Sequence, residues 1–373
     1  MIGFCRSNCL GSTVYPAFFF ADLRYDNVCD AKSCPRDDRL EVDQFIDHIN
    51  KFENWFRKLN EQTAHQRDVE TTEGNVSSCT QAFNERHQQL TILIEKKLEQ
   101  YSDFGGGCPK DLKAAIRHSL LAPAKRLRPT LVLLAAEACG GDVADAMPAA
   151  CAVEMIHTYS LIHDDLPAMD DDDLRRGLPS CHAKFGEAVA ILAGDALLAQ
   201  AFEVISRDTS PSEVAVKCCV ELSTTAGALH LVGGQADDLD AEQRDDLAGS
   251  DLERIHRRKT GAMIISSLRM GAFVANADAG MLEKLTIFGE NIGLAFQIVD
   301  DLLDFSGDQT KIGKSLGKDS QSEKLTYVKL YGLDESKRKA DKLIDDAIES
   351  LKDFGTNGHP LIGLAQFILN RTY

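Results

Sequence analysis

Apolar positions recur every three or four residues along most of the chain beyond about residue 81, which is the period of an amphipathic helix. Short breaks rich in Gly, Pro, Asp or Ser separate these stretches, and few segments alternate long enough to predict a strand. No repeat of fixed period occurs. The predicted helices span residues 81–102, 109–120, 127–139, 143–164, 186–206, 212–234, 251–276, 279–305, 333–354 and 360–371.

The first 80 residues differ from the rest. They begin rich in aromatic residues and cysteine and continue as a polar, mixed-charge segment without a sustained helical period. Their acidic residues also argue against a transit peptide, and Asp22 directly after the short apolar run argues against a secretory signal. We therefore predict an all-α fold with one helical domain over residues 81–373, preceded by a poorly structured extension over residues 1–80.

The overall charge narrows the class of protein. The chain has 373 residues with 41 basic and 58 acidic side chains, a formal net charge of −17. Nucleic-acid binding needs a basic surface, so no nucleic-acid partner is expected. No stretch has the roughly 18 uncharged apolar residues of a membrane span. Eleven cysteines are an odd number and too small a fraction for a disulfide scaffold, which favours a reduced, cytoplasmic environment.

Six of the ten residues 164–173 are aspartates, with no basic residue among them. Such crowding indicates either a solvated loop or a cation site. A calcium loop of the EF-hand type that starts at Asp170 would need glycine at Arg175 and glutamate at Cys181. Magnesium that bridges carboxylates to a phosphate fits better, because magnesium is seldom held by protein ligands alone.

A second acidic group lies inside an apolar stretch near residue 300. Gln297, Asp300 and Asp304 are three and four residues apart, so a helix places them on one face. The flanking residues are apolar and imply burial. Two like charges one turn apart on such a helix cost stability unless a cation lies between them, so this group predicts a second set of metal ligands.

Basic residues stand in short groups despite the acidic net charge. The groups are Lys125-Arg126-Leu127-Arg128, Arg175-Arg176, Lys259-Thr260-Gly261, and Lys314, Lys318 and Lys324. Alone, each group would be read as surface charge. Together with two magnesium-type carboxylate sets they predict a site for two diphosphate groups, one held through metal and the other directly by Arg and Lys. No Gly-rich nucleotide loop occurs, so ATP is not implied.

In their order along the chain, these motifs resemble those of the short-chain trans-isoprenyl diphosphate synthases, most closely the bacterial-type farnesyl diphosphate synthases. The resemblance covers roughly residues 85–373. The matching motifs are Lys125-Arg126-Leu127-Arg128-Pro129, Glu154-Met155-Ile156-His157 continuing through Arg176-Gly177, Ala193-Gly194-Asp195-Ala196, Gly234-Gln235, His256 to Gly261, and Asp300-Asp301-Leu302-Leu303-Asp304. One departure is Pro123-Ala124, where the family usually has two glycines.

The resemblance implies a role for each matching residue. The isopentenyl diphosphate ligands would be Lys125, Arg128, His157 and Arg176. The allylic diphosphate would be contacted by Arg175, Lys259 and Lys314. The metal ligands would be Asp164, Asp170, Asp300 and Asp304, with Asp165 and Asp301 close by, and would hold Mg²⁺, three ions per site with substrate bound. Lys259, Thr260 and Gln297 would be catalytic, and Tyr159 and Ser160 would limit product length.

The fold and function implied by the resemblance are those of a prenyltransferase: one large helical bundle of the isoprenoid synthase type around a central cavity, acting as a homodimer. It would condense isopentenyl diphosphate with dimethylallyl and then geranyl diphosphate to give farnesyl diphosphate. The alternatives are a geranylgeranyl diphosphate synthase, a class I terpene cyclase and a non-catalytic synthase subunit. Cyclases usually carry an Asn/Asp-Ser-Glu metal motif, and non-catalytic subunits lack one aspartate motif, whereas this chain has both.

Overall fold

Helices account for nearly all regular structure in this computed structural model, which describes residues 73–370 except 242, 243, 245, 247 and 307–325. They are α1 (Glu73–Tyr101), α2 (Lys110–Leu120), α3 (Leu127–Ala138), α4 (Val143–Asp164), α5 (Cys181–Phe185), α6 (Glu187–Asp208), α7 (Ser212–Ala226), α8 (Leu231–Ala241), α9 (Gly249–His256), α10 (Ala262–Val274), α11 (Ala279–Ser306), α12 (Tyr327–Tyr331), α13 (Leu333–Ser350) and α14 (His359–Asn370). A π-helical turn (Arg257–Gly261) joins α9 to α10, and a 3-10 turn (Lys352–Gly358) precedes α14. The predicted all-α fold is confirmed.

Helix α4 is buried along most of its length and forms the centre of the packing. Asp142 caps its first turn, with Oδ1 accepting a hydrogen bond of 2.7 Å from the backbone N–H of Ala144. Alanine recurs among its buried residues, and such small side chains let α3, α6 and α10 approach closely. A helix that is apolar on every side belongs in a core. The first aspartate motif therefore begins where a rigid, buried helix ends.

Helix α11 carries the second acidic motif and packs against α10 and α13. Two glycines bring α11 close to the residues before and within α10. A Cβ at Gly293 would lie 3.0 Å from the Cα of Gly261, and one at Gly289 would lie 2.9 Å from a methyl carbon of Leu268. Larger residues there would push the second acidic motif away from the Lys259 segment.

Two local features differ from the sequence prediction. The helix predicted over 212–234 is interrupted, because α7 ends at Ala226 and Gly227 takes extended backbone angles before α8 begins. A short antiparallel hairpin of β1 (Leu174–Arg175) and β2 (Leu178–Pro179) was also not predicted. Its two turn residues, Arg176 and Gly177, both have positive φ, as a two-residue hairpin turn of type I′ requires.

The predicted domain boundary at residue 80 falls inside α1. Cys79 and Phe83 are buried, and a Cβ at Gly363 of α14 would lie only 2.0 Å from the carbonyl oxygen of Cys79. The start of α1 therefore packs with the helical domain. Residues 1–72 lie outside the described residues, so the poorly structured extension stays a prediction.

Helix α6 is long and apolar enough, by length and composition alone, to cross a membrane. It packs against α2, α4, α5 and α7, and its buried residues include Ala193, Leu197 and Val204. Core packing is a sufficient reason for its apolar sequence. The cysteines within the described ranges all carry free thiols.

Candidate active site

The loop after α4 folds back on the end of the helix. The backbone N–H of Asp170 donates to the carbonyl of Asp164 at 2.9 Å, and that of Asp172 donates to the carbonyl of Asp165 at 3.2 Å. On one continuous helix, residues six apart such as Asp164 and Asp170 would lie on different faces, and the folded-back loop removes this restriction. These two predicted metal ligands are thereby brought together.

The carboxyl group of Asp164 lies in an environment that disfavours its charge. Burial raises its pKa to about 6, with Asp170 raising it further and the ammonium of Lys259 opposing both. A divalent cation would reverse the effect of burial and of the neighbouring carboxylate. Asp164 therefore has the donor chemistry and the electrostatics expected of a magnesium ligand, and Asp170 supplies a second carboxylate beside it.

Asp165 is paired with Arg175. Its buried side chain accepts from the Nε of Arg175 at 2.8 Å and also from its Nη2, while Asp172 lies 3.5 Å from the same guanidinium. A guanidinium held at two nitrogens is fixed in orientation before any substrate arrives. The pairing with Asp165 therefore restricts the orientation of Arg175.

The predicted isopentenyl diphosphate ligands form a cluster beside α4. The Nη1 of Arg128 lies 3.1 Å from the Nε2 of His157, and because guanidinium nitrogens only donate, His157 accepts through that nitrogen. Burial, followed by Arg128 and Arg176, holds the pKa of His157 well below its usual range. His157 is therefore neutral at physiological pH, and its imidazole orients Arg128.

Arg128 and Arg176 are half-buried cations without a paired anion among the described residues. No carboxylate of the described residues forms a salt bridge with either, and the buried Nε of Arg128 lacks a hydrogen-bond partner. Burial lowers the pKa of both, that of Arg176 to about 10, although Glu154 opposes the shift in each case. The hairpin turn brings Arg176 to this cluster. Two desolvated guanidinium groups here are suited to bind a diphosphate.

Arg126 lies between two predicted ligands but is part of the core. Its Nε donates to Glu95 at 2.6 Å and its Nη1 donates to Glu154 at 2.5 Å, while its Nη2 donates to the carbonyls of Leu120 and Ala122. Its left-handed backbone, with a φ of 47°, turns it inward just before α3 begins. Arg126 is thus a core residue within the basic group, whereas Lys125 beside it is exposed.

Lys259 and Thr260 lie in the π-helical turn between α9 and α10. The Nζ of Lys259 donates to Asp238 of α8 at 2.8 Å, and Arg258 donates to Asp237 at 2.7 Å. A π turn inserts one extra residue into a helix and often marks a functional site. Here it directs two successive basic side chains to two successive aspartates.

Asp301 in the second acidic motif is hydrogen-bonded to the backbone at the start of α12. Its Oδ2 accepts a hydrogen bond of 2.7 Å from the backbone N–H of Tyr327, at the start of α12. Burial raises its pKa to about 7, with Asp300 and Asp304 adding to the shift. Asp300 in turn counteracts the fall in the pKa of Arg128. The second motif is thus electrostatically coupled to the isopentenyl diphosphate cluster.

The carboxylates supply only oxygen ligands, which suits magnesium or another hard cation. Within the described ranges, no three Asp, Glu, His or Cys side chains converge closely enough to hold an ion by themselves. Gln297 is half-buried on α11, on the face of Asp300, and Lys314 lies outside the described residues.

The predicted product-length residues lie one turn above the first motif. Tyr159 is 6% exposed, and its ring contacts that of His163 edge to face, with 5.8 Å between centroids. Burial raises the pKa of its hydroxyl, and Asp164 adds to the shift. Ser160 is half-buried and donates to the carbonyl of His157 at 2.9 Å.

Comparison with known proteins identifies the family. The profile of the family described as Polyprenyl synthetase matches residues 109–357, which is most of the helical domain. The chain belongs to the polyprenyl synthetase family. It is 45% identical over 289 residues to a protein named geranylgeranyl diphosphate synthase from Cyanophora paradoxa, an alignment that covers 76% of this chain and 96% of that protein.

A farnesyl diphosphate synthase from Geobacillus stearothermophilus is 42% identical over 299 residues, covering 79% of this chain and 99% of the relative. Among solved structures, the apo form of an FPP/GFPP synthase from Zymomonas mobilis matches with a TM-score of 0.71 at 33% identity, covering 78% of this chain and 99% of that one. This polyprenyl synthetase is therefore a prenyltransferase of isoprenoid biosynthesis with the all-α fold of isoprenyl diphosphate synthases.

Several residues of this polyprenyl synthetase site were not predicted. Asp237 and Asp238 pair with the basic residues of the π turn, and their proximity to Gly234-Gln235 within one helical turn was the available signal. Both side-chain polar atoms of Gln235 are buried without a partner, and a Cβ at the adjacent Gly234 would lie 2.6 Å from the backbone nitrogen of Lys259. Gln235 therefore lies close to the π-helical turn that carries Lys259.

Proposed function

We propose that this prenyltransferase condenses isopentenyl diphosphate head to tail with dimethylallyl and then geranyl diphosphate, and that farnesyl diphosphate is the main product. One observation carries the proposal. Two separate cationic groups, Arg128 with Arg176 and Arg175 with Lys259, lie beside the first aspartate motif. A site for one diphosphate would need only one of them.

The proposed roles follow from the charges of the side chains. Asp164, Asp170, Asp300 and Asp304 would hold magnesium, three ions in the proposal, which when bound neutralises charge on the allylic diphosphate. Arg175 and Lys259 would bind the same diphosphate directly and stabilise the negative charge that grows as its C–O bond breaks. Arg128, Arg176 and Lys125 would hold the isopentenyl diphosphate for attack.

The chemical step needs no nucleophilic side chain. The allylic diphosphate departs with the electron pair of the C–O bond, and the isopentenyl double bond attacks the resulting carbocation to form the new C–C bond. The departed diphosphate then takes the proton that is lost. Side-chain oxygens of Thr260 and Gln297, directed at the cation, would stabilise it as dipoles. An apolar surround keeps out water, which would quench the cation.

Product length is the finer part of the proposal. The buried aromatic ring of Tyr159, five residues before Asp164, supports a short cavity and a C15 product. The second candidate is a C20 product, because relatives named geranylgeranyl and farnesyl diphosphate synthases have similar identities of 45% and 42%. We expect Tyr159→Ala to lengthen the main product and Ser160→Phe to shorten it to ten carbons.

We also propose a homodimer. Large apolar side chains are exposed on two adjacent helices, Ile191 and Leu192 on α6 and Val216 and Val220 on α7. Exposed apolar residues gathered on neighbouring elements are typical of an interface. The free thiols favour a cytoplasmic enzyme.

One incubation tests the function. Purified enzyme is supplied with magnesium, labelled isopentenyl diphosphate and each allylic primer in turn, and the products are dephosphorylated and separated by chromatography. A C15 alcohol from dimethylallyl and geranyl primers supports the proposal. A C20 alcohol would instead support the second candidate, geranylgeranyl diphosphate synthesis. Failure to elongate any primer would refute the substrate assignment.

A further inference from the structure

We propose that His163 is a positioning residue for product length, clamped by α6 so that it fixes the ring of Tyr159. This inference rests on the proposed function, because it concerns the same elongation reaction. His163 is the residue directly before the metal ligand Asp164, and the family resemblance gives it no role.

Helix α6 holds His163 at two points. The Nε2 of His163 lies 3.2 Å from the carbonyl oxygen of Ile191, so this nitrogen carries the proton and donates it. The imidazole also covers the bare Cα of Gly194, where an added Cβ would lie 2.1 Å from Nε2 and 2.6 Å from Cδ2. Glycine at this position is thus required for the ring to lie where it does.

The fixed imidazole in turn contacts Tyr159. The two rings meet edge to face, with centroids 5.8 Å apart and an interplanar angle of 77°, and Tyr159 is almost fully buried. His163 and Tyr159 are one turn apart and therefore share the face of α4 that packs against α6. The side chain of Tyr159 flanks the growing prenyl chain only as long as His163 occupies the space behind it.

Removal of the imidazole should therefore lengthen the product. With His163→Ala the ring of Tyr159 can move toward α6, into the vacated space and away from the Asp164 side of the helix. We expect the ratio of C20 to C15 product to rise at least about threefold, since one edge-to-face aromatic contact restrains a ring by about that factor or more. His163→Phe keeps the ring contact and should retain most of the C15 product, whereas His163→Gln should not.

Gly194→Ala tests the clamp from the opposite side. Its Cβ must displace the imidazole, so the same shift toward C20 is expected. If this variant is too unstable to assay, His163→Ala combined with Gly194→Ala removes the clash and should recover the folded enzyme with the lengthened product. Melting temperatures show which variants are folded.

His118 provides a matched control. Its Nε2 lies 2.8 Å from the carbonyl of Pro179, and its ring meets Phe185 edge to face at 5.5 Å. His118→Ala thus removes the same kinds of contact far from Tyr159 in sequence and should leave the product ratio unchanged.

Product ratios for the wild type, Tyr159→Ala, His163→Ala, Gly194→Ala and His118→Ala separate the possible failures. A wild type that elongates no primer refutes the proposed function. If the wild type elongates but His163→Ala and Gly194→Ala keep its product ratio, only the inference about His163 is overturned. An equal shift in His118→Ala would also overturn it, because the effect would then reflect general loosening of the bundle.

Discussion

Replacing Arg126 and Arg128, two residues apart, should have opposite kinds of effect. Arg126→Met should destabilise the fold with little change in substrate affinity. Arg128→Met should weaken the binding of isopentenyl diphosphate with little loss of stability. The reason is that Arg126 is paired with carboxylates in the core, whereas Arg128 has a buried, unpartnered Nε beside His157.

The magnitude for Arg126 follows from its burial. Its side chain is 0% exposed and that of Glu154 is 2% exposed, so Arg126→Met leaves a carboxylate buried without its cation. Removal of one partner of a buried pair costs about 3–5 kcal/mol. The pair with Glu95 adds less, because Glu95 is 36% exposed. For a domain of this size we expect the melting temperature to fall by about 5–10 °C.

For Arg128→Met, loss of a charge-assisted hydrogen bond to diphosphate should raise the KM for isopentenyl diphosphate about 10- to 100-fold. The assays are thermal unfolding followed by circular dichroism and steady-state elongation at varied isopentenyl diphosphate. A matched control is Arg126→Met with Glu154→Gln, which removes the stranded charge and should recover about 2 kcal/mol of the lost stability.

Two results would contradict this reasoning. A wild-type melting temperature for Arg126→Met together with a raised KM would make Arg126 a substrate ligand. Equal destabilisation of Arg126→Met with and without Glu154→Gln would show that the cost comes from packing and not from the unpaired carboxylate.

Three further predictions concern metal, pH and chain length. Asp164→Asn and Asp300→Asn should each lower kcat at least about 10³-fold, because they weaken the charge stabilisation of the leaving group. A chelator should abolish wild-type turnover until magnesium is restored. Full turnover without divalent metal would refute the proposed metal site. The folded pKa values of Asp164 and Asp301 are about 6 and 7 and exceed the unfolded value of 3.8. The metal-free protein should therefore lose stability as the pH rises from about 4 to 7. A melting temperature that rises over this pH range would contradict the prediction. A chain that begins at residue 73 should keep wild-type activity, and one that begins at residue 81 should melt at a lower temperature because it lacks the turns of α1 that pack on α14. Equal melting temperatures would instead support the predicted boundary at residue 80.

The helices and the acidic motifs could be predicted because each depends on local spacing. An apolar residue every third or fourth position specifies a buried helix face whatever lies opposite, and the bounds of α4 match the prediction. The hairpin at Arg176 was missed because its strands have two residues each. The positive φ of Arg176, a non-glycine residue, also leaves no signal in the hydrophobic pattern of the sequence.

Pairings between distant segments could not be predicted. Arg126 meets Glu95 from 31 residues earlier, and Lys259 meets Asp238 from 21 residues earlier. Spacing and charge alone do not show that Arg126 is buried and paired while Arg128 is not, because both are arginines in one basic group. The left-handed backbone of Arg126 decides which of them turns into the core.

The two charged parts of the site are each unfavourable alone and suited to be relieved together. Burial disfavours charge on Arg128 and Arg176, and it also disfavours charge on Asp164 and Asp301, as their shifted pKa values show. In the proposed roles, isopentenyl diphosphate would satisfy Arg128 and Arg176, and magnesium bound with the allylic diphosphate would satisfy Asp164. Because magnesium would also reduce the repulsion between the carboxylates and either diphosphate, metal and substrate should each raise the affinity for the other. Burial of these charges destabilises the protein without its ligands. The same burial therefore favours the complex with both metal and substrate over the complex with either one alone.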